Sequence, residues 1–190
     1  MKHSVSDLLA LIGQFYPGAR WPGDAGYSET AEDQRFMRAV RKAGTGAAYA
    51  CWTGMLGRLG AAFPGRIINT SLHLAAASRG PCYEGICTLL RTDEAQHNVD
   101  FCVSLLAPYY LVYGRRYFRE GRRFEVRFDL DAEEQLYGRV IADEIESTYG
   151  YEPMPPEVGR ALVADVEIEG ARYHYVGKGT INDYLFTING

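Results

Sequence analysis

The sequence predicts an α+β fold: N-terminal helices packed on a mostly antiparallel sheet, with one further helix between strands. Three observations predict it. Before residue 64 the apolar residues recur every three or four positions. From Arg66 onward they alternate. Between Asp131 and Tyr149 the helical spacing returns. A chain of 190 residues is long enough for one sizeable core, so 1–190 reads as a single domain, helical over 1–64 and sheet-rich over 66–190.

The first helix opens at Ser4, with Asp7 completing an S-x-x-D box, and buries Leu8, Leu9, Ile12 and Tyr16 before Pro17 and Gly18 stop it. A glycine-proline loop follows, anchored by Trp21. Thr30 caps a second helix whose apolar stripe is Phe36, Met37 and Val40, and Gly44 ends it. A third helix runs from about Thr45 to Ala62 with Trp52, Met55, Leu56 and Leu59 on one side. Gly54, Gly57 and Gly60 weaken it by about 1 kcal/mol each, which implies close packing against a neighbour.

Ile68, Thr70, Leu72 and Leu74 then alternate with polar residues as a strand with one wet face. Residues 82–91 form the next, and TDEAQHN is a hairpin loop. A loop centred between Glu94 and Ala95 sets Cys87 opposite Cys102 and Ile86 opposite Val103. It places Ile86, Thr88 and Leu90 on the face of Val99, Phe101 and Val103. The run VDFCVSLLAPYYLVY organises the chain. Its first half alternates as a half-buried strand; its second, after Pro108, is apolar on both sides. It is too short for a membrane span, which needs about 20 residues.

GRRYFREGRR reads as a basic turn. Phe124, Val126, Phe128 and Leu130 alternate with Arg123, Glu125, Arg127 and Asp129, which predicts a strand with the three aromatic and aliphatic residues 124, 126 and 128 in the core and Arg127 in water. Asp131 caps a fourth helix with Glu134 closing the box. Leu136, Tyr137, Val140, Ile141, Ile145 and Tyr149 supply its buried stripe, and Gly150 its stop. Residues 163–168 and 171–176 read as a hairpin, and DYLFTI as a last strand.

The net charge of −4 argues against general attraction to nucleic acid. The N-terminus lacks the form of a signal peptide, which points to the cytoplasm, where Cys51, Cys82, Cys87 and Cys102 stay reduced. None of the four forms a CxxC pair, so neither zinc nor a redox motif is suggested. GKGT at 177–180 is not a P-loop, because Arg172 stands where glycine is required. The histidines show no metal spacing, and no serine has the elbow context of a hydrolase. No cofactor is expected. The candidates left for an enzyme are His174 with the alternating carboxylates Asp165 and Glu167, in a strand whose acids, Glu169 included, also read as a solvated face.

Charge segregation is the stronger signal. Residues 115–127 hold six Arg against two Glu, and residues 129–152 hold eight acids against one base, Arg139. Either the two segments neutralise one another across the fold, or are merely solvated, or the acidic helix steers a basic partner. The recognition reading nominates Glu133, Asp143, Glu144 and Glu146.

The combination of LLAPYYLVYGRR, an acidic helix after FDLDAEE, and the tail DVEIEG…GTINDYLF resembles bacterial polymorphic-toxin immunity proteins over roughly residues 66 to 188. The resemblance implies a cytoplasmic protein that binds and neutralises a protein toxin, without catalysis or cofactor. The alternatives are a small enzyme at His174 and a structural partner in a bacterial assembly.

Overall fold

The computed structural model describes residues 3–18, 24–71, 80–120, 123–163 and 179–186. Three helices come first: α1 (Val5–Ile12), α2 (Ala31–Ala43) and α3 (Gly46–Ala62), with a short 3-10 turn at Tyr27–Glu29. Six strands and three further helices follow: β1 (Ile67–Asn69), β2 (Cys82–Arg91), β3 (Ala95–Ser104), β4 (Tyr109–Phe118), β5 (Arg123–Arg127), α4 (Ala132–Tyr149), β6 (Glu152–Pro153), α5 (Pro156–Gly159) and α6 (Ile181–Leu185). The sheet runs β1-β2-β3-β4-β5 antiparallel, and β6 joins β4 in parallel beside Tyr109 and Tyr110. This is the α+β arrangement the sequence predicts, with α4 between strands.

The N-terminal capping signals act as read. The Ser4 hydroxyl accepts from the Asp7 backbone N–H while the Asp7 carboxylate accepts from the Ser4 backbone N–H at 2.8 Å. Leu8, Ile12 and Tyr16 are buried, as are Phe36, Val40, Trp52, Met55 and Leu59. The α3 glycines behave otherwise. A Cβ at Gly57 or Gly60 would meet nothing within 4 Å, so these glycines are not sites of close approach. They lie away from the packed side set by Trp52, Met55 and Leu59, and α3 holds through that side.

Strands β2 and β3 are displaced from the predicted register. Cys87 pairs with Val99 and Ile86 with Asp100, and a bulge between Thr88 and Leu90 shifts the ladder. The loop is tighter than expected, because Thr92 Oγ1 accepts from the Ala95 backbone N–H at 3.0 Å and β3 begins there. The change alters parity as well as position. Tyr83, Gly85 and Cys87 share a face with Val99, Phe101 and Val103, whereas Cys102 lies on the opposite face with Glu84 and Asp100. The two cysteines are therefore on different faces.

The first face packs on α3 and α4. Trp52 stacks on Tyr83 with ring centroids 5.0 Å apart, and its indole N–H donates to Asn69 at 3.1 Å. Gly85 leaves the space that the Phe101 ring occupies. The second face meets the residues entering α1, where the His3 backbone N–H donates to the Tyr109 hydroxyl at 3.1 Å. Beside it Tyr16 packs on Tyr184 of α6 and donates its hydroxyl to the Tyr184 carbonyl at 2.8 Å. With both faces covered, β3 is not half-buried as predicted: Asn98, Asp100, Cys102 and Ser104 are all buried.

Two further expectations reverse. On β5 the alternation holds but its sides exchange. Register puts Arg123, Glu125 and Arg127 on the helix-facing side, and Phe124 and Phe128 are 44% and 38% exposed. The pull comes from α4, whose first turn offers carboxylates to Arg127. The predicted terminal strand DYLFTI begins instead in helix α6, which holds Asp183, Tyr184 and Leu185, while Thr187 and Ile188 lie outside the described residues. The Asp183 carboxylate accepts from the Thr180 backbone N–H at 2.6 Å, and Ile181, Tyr184 and Leu185 are buried. The T-x-x-D spacing outweighs the β-propensity of the residues. Trp21, His73, most of the second half of the first predicted strand, and nearly all of the 163–176 hairpin lie outside the described residues.

Candidate functional site: the two faces of the fourth helix

Helix α4 starts at Asp131, whose Oδ1 accepts from the Glu134 backbone N–H at 3.0 Å while Glu134 Oε2 accepts from the Asp131 backbone N–H at 2.8 Å. It ends at Gly150, left-handed at φ 64°. Its inward side carries Glu134, Gly138, Ile141 and Ile145, all buried. Tyr137 and Tyr149 are half-buried, but Leu136 is 66% exposed and Val140 36% exposed. The predicted single stripe is thus split. Six apolar residues spread over half of a helical wheel cannot all point at one sheet.

Beneath the first turn lies a closed ion cluster. Glu134 is fully buried, and its Oε1 lies 2.6 Å from His97 Nε2 and 2.7 Å from an Arg127 guanidinium nitrogen. The same nitrogen donates to Asp131 Oδ2 at 2.9 Å, and Arg116 donates to that oxygen at 2.9 Å. Gly114 on β4 supplies the room, because a Cβ there would collide with Glu134 Oε1. Burial pushes the Glu134 carboxyl upward, but the bonds from His97, the Asp131 backbone N–H and Arg127 outweigh it and hold the group below its ordinary value. The Glu134 backbone N–H and Arg127 pull the Asp131 carboxyl down to about 2. The same carboxylates raise the Arg127 guanidinium.

Donor atoms of His97, Asp131 and Glu134 lie within 4.8 Å of one another, a spacing a metal ion can use. Arg127 binds both carboxylates there, so its charge stands where a cation would and the oxygens are already committed. The cluster anchors the helix to β3, β4 and β5. Half of the charge segregation is thereby explained: the basic strands neutralise the first turn of the acidic helix.

The residues nominated for recognition divide. Glu133 and Asp143 are exposed. Glu144 accepts from Arg58 of α3 at 2.8 Å, and Arg58 also donates to Thr148 at 2.6 Å. Glu146 accepts the Tyr110 hydroxyl at 2.5 Å, and that phenol is raised by burial and by this bond. Asp165, Glu167 and His174 lie outside the described residues. Sequence reasoning missed His97, Arg116 and Arg127, which it had placed in a loop, a turn and solvent. The available signal was Glu134 itself, a capping acid on the same helical side as Ile141 and Ile145.

A second buried carboxylate lies on the other face of the sheet. Asp100 is 4% exposed and pairs with Arg115 at 2.8 Å through Oδ2, while Oδ1 has no hydrogen-bond partner among the described residues. Burial pushes its carboxyl up to about 7 against the pull of Arg115, and Glu84 adds to the rise. Cys82 Sγ lies 3.7 Å from Glu84 Oε1, and Cys102 beside it is raised by its bond to Cys82 and by burial.

No family model, curated protein or solved structure matches the chain. No helix among the described residues is long and apolar enough to cross a membrane.

Proposed function

We infer that this chain is a cytoplasmic immunity-type protein that binds and neutralises a bacterial protein toxin, through the outer face of α4. The observation that carries the inference is the exposed pair Leu136 and Val140, set between the exposed acids Glu133 and Asp143 on a helix fixed from behind. An apolar centre with a charged rim is the composition of a recognition patch. The rim holds two acids and one base, Arg139, so the complementary partner presents apolar side chains with Lys or Arg set against Glu133 and Asp143. The clamp of Glu134 by His97 and Arg127 gives the face a preset orientation and lowers the ordering cost of binding.

The experiment uses a toxin encoded beside this chain's gene. The chain should bind it and protect cells that express it. Leu136→Ala with Val140→Ala should speed dissociation, and Glu133→Gln with Asp143→Asn should slow association and flatten its salt dependence. Full protection and unchanged kinetics in both double variants would remove this face from the interface. Failure of the wild-type chain to bind or protect would remove the function.

A further inference from the structure

Among the described residues, strand β5 lies at an edge of the sheet. On one side it pairs with β4, and among the described residues no backbone group bonds to its other side. Such an edge is a template for another strand. The segment from Arg123 to Asp129 reads Arg-Phe-Glu-Val-Arg-Phe-Asp, and Arg123, Phe124, Phe128 and Asp129 are all exposed.

We propose that β5 pairs antiparallel with β5 of a second copy of this chain, across a two-fold axis through Val126, joining the two sheets into one.

The segment is self-complementary in that register. Val126 meets Val126 of the other copy, Glu125 meets Arg127, Phe124 meets Phe128, and Arg123 meets Asp129. Every directly opposed pair is then aliphatic, aromatic or oppositely charged, the three kinds that stabilise antiparallel neighbours. Alternatives are penalised. An axis through Glu125 opposes Glu125 to itself and Arg123 to Arg127. An axis through Arg127 opposes Arg127 to itself and Glu125 to Asp129. An axis through Phe124 keeps, within the described residues, only the Arg123–Glu125 and Phe124–Phe124 pairs. An axis through Phe128 likewise keeps, within the segment, only the Arg127–Asp129 and Phe128–Phe128 pairs, so charge and length of overlap together favour the register through Val126. A two-fold contact is also the commonest way for a chain to associate with itself.

Within one copy Arg127 is held by Asp131 and Glu134, so the outer pair, Arg123 with Asp129, is the one to manipulate. The Arg123 side chain is 67% exposed; its local partners are Glu125 at 3.2 Å and the Phe118 ring at 5.2 Å. Phe128 and Asp129 follow the strand as a bend, and the added strand extends the ladder over them. A contact of this length is at the small end of specific interfaces, so the dimer is concentration-dependent.

Sedimentation of the full chain from about 1 to about 500 µM should show a monomer becoming a dimer. Arg123→Asp opposes Asp to Asp, and Asp129→Arg opposes Arg to Arg; each alone should weaken the dimer about tenfold. Mixing the two variants restores both outer pairs, so a heterodimer should form at the wild-type concentration, as should a homodimer of the double variant. Pairing in the mixture also shows that both variants are folded. A wild-type chain that stays monomeric overturns the proposal. So does a dimer insensitive to both reversals, or a mixture that fails to pair.

Discussion

Two buried carboxylates, Glu134 and Asp100, face opposite sides of the same sheet, and each has an arginine partner. Their acidities move in opposite directions. Glu134 is fully buried, yet three donors from His97, Arg127 and the Asp131 backbone hold it ionised. Asp100 rises to about 7, because burial outweighs the pull of its Arg115 partner and Glu84 adds to the rise. Charge state follows from burial and hydrogen bonding together: at Asp100 desolvation prevails over one guanidinium, whereas at Glu134 three donors prevail over desolvation.

The largest test of this contrast removes the well-served group. Glu134→Ala deletes the acceptor of His97 and Arg127 and the reciprocal half of the α4 cap. Removing one partner of a buried pair costs about 3–5 kcal/mol, and a urea melt should show a loss of that size. Asp100→Asn should do the reverse near neutral pH. A loss under about 1 kcal/mol for Glu134→Ala would mean that the cluster is solvated and the helix not anchored by it.

The second test is the pH dependence, where the two groups have opposite signs. Asp100 is raised from 3.8 in the unfolded chain to about 7 in the folded one. The folded state therefore binds the extra proton between these values. That contribution to stability is complete below about 4 and is lost as pH rises through about 7. Over that interval the wild-type chain should lose roughly 2–4 kcal/mol relative to Asp100→Asn, whose amide has no proton to release. Asp131 and Glu134 are lowered, so their contribution is present above their unfolded values and lost as pH falls through the folded ones, near 2 for Asp131. Equal slopes for wild type and Asp100→Asn between pH 4 and 7 would show Asp100 to be normally acidic.

The same contrast explains what was legible in the sequence. Local signals held: the capping boxes at Ser4 and Asp131, the stop at Gly150, the strand character of β2 and β3 and the alternation along β5. They depend on neighbours within a few positions. What failed was decided at long range. Alternation on β5 leaves open which side faces the helix, and Arg127 settled that by bonding to residues 131 and 134. The β2–β3 register turned on a tighter loop and a bulge, either of which moves every side chain. The buried identity of Glu134 required Gly114, which lies distant in sequence and marked by nothing but a missing side chain. Of the nominated acids, Glu144 and Glu146 found partners on α3 and β4 that sequence spacing could not reveal.

The smallest expected effect sharpens the division of α4 into an anchored and a free side. Leu136 and Ile141 are similar in size and both occupy the predicted stripe, but one is 66% exposed and the other fully buried. Ile141→Ala removes packed atoms and leaves a cavity, a loss of about 2–5 kcal/mol. Leu136→Ala removes atoms already in contact with water, and alanine is the better helix former, so the change should fall within about 0.5 kcal/mol of zero. Equal losses in urea melts would mean that Leu136 is covered in the folded protein and that α4 has a single face. With Leu136→Ala neutral in stability, any weakening of partner binding is assigned to the lost contact and not to a loosened fold. That separation is possible only because the apolar residues of this helix are divided between opposite sides, and the ion cluster at its N-terminus fixes which side remains in solvent.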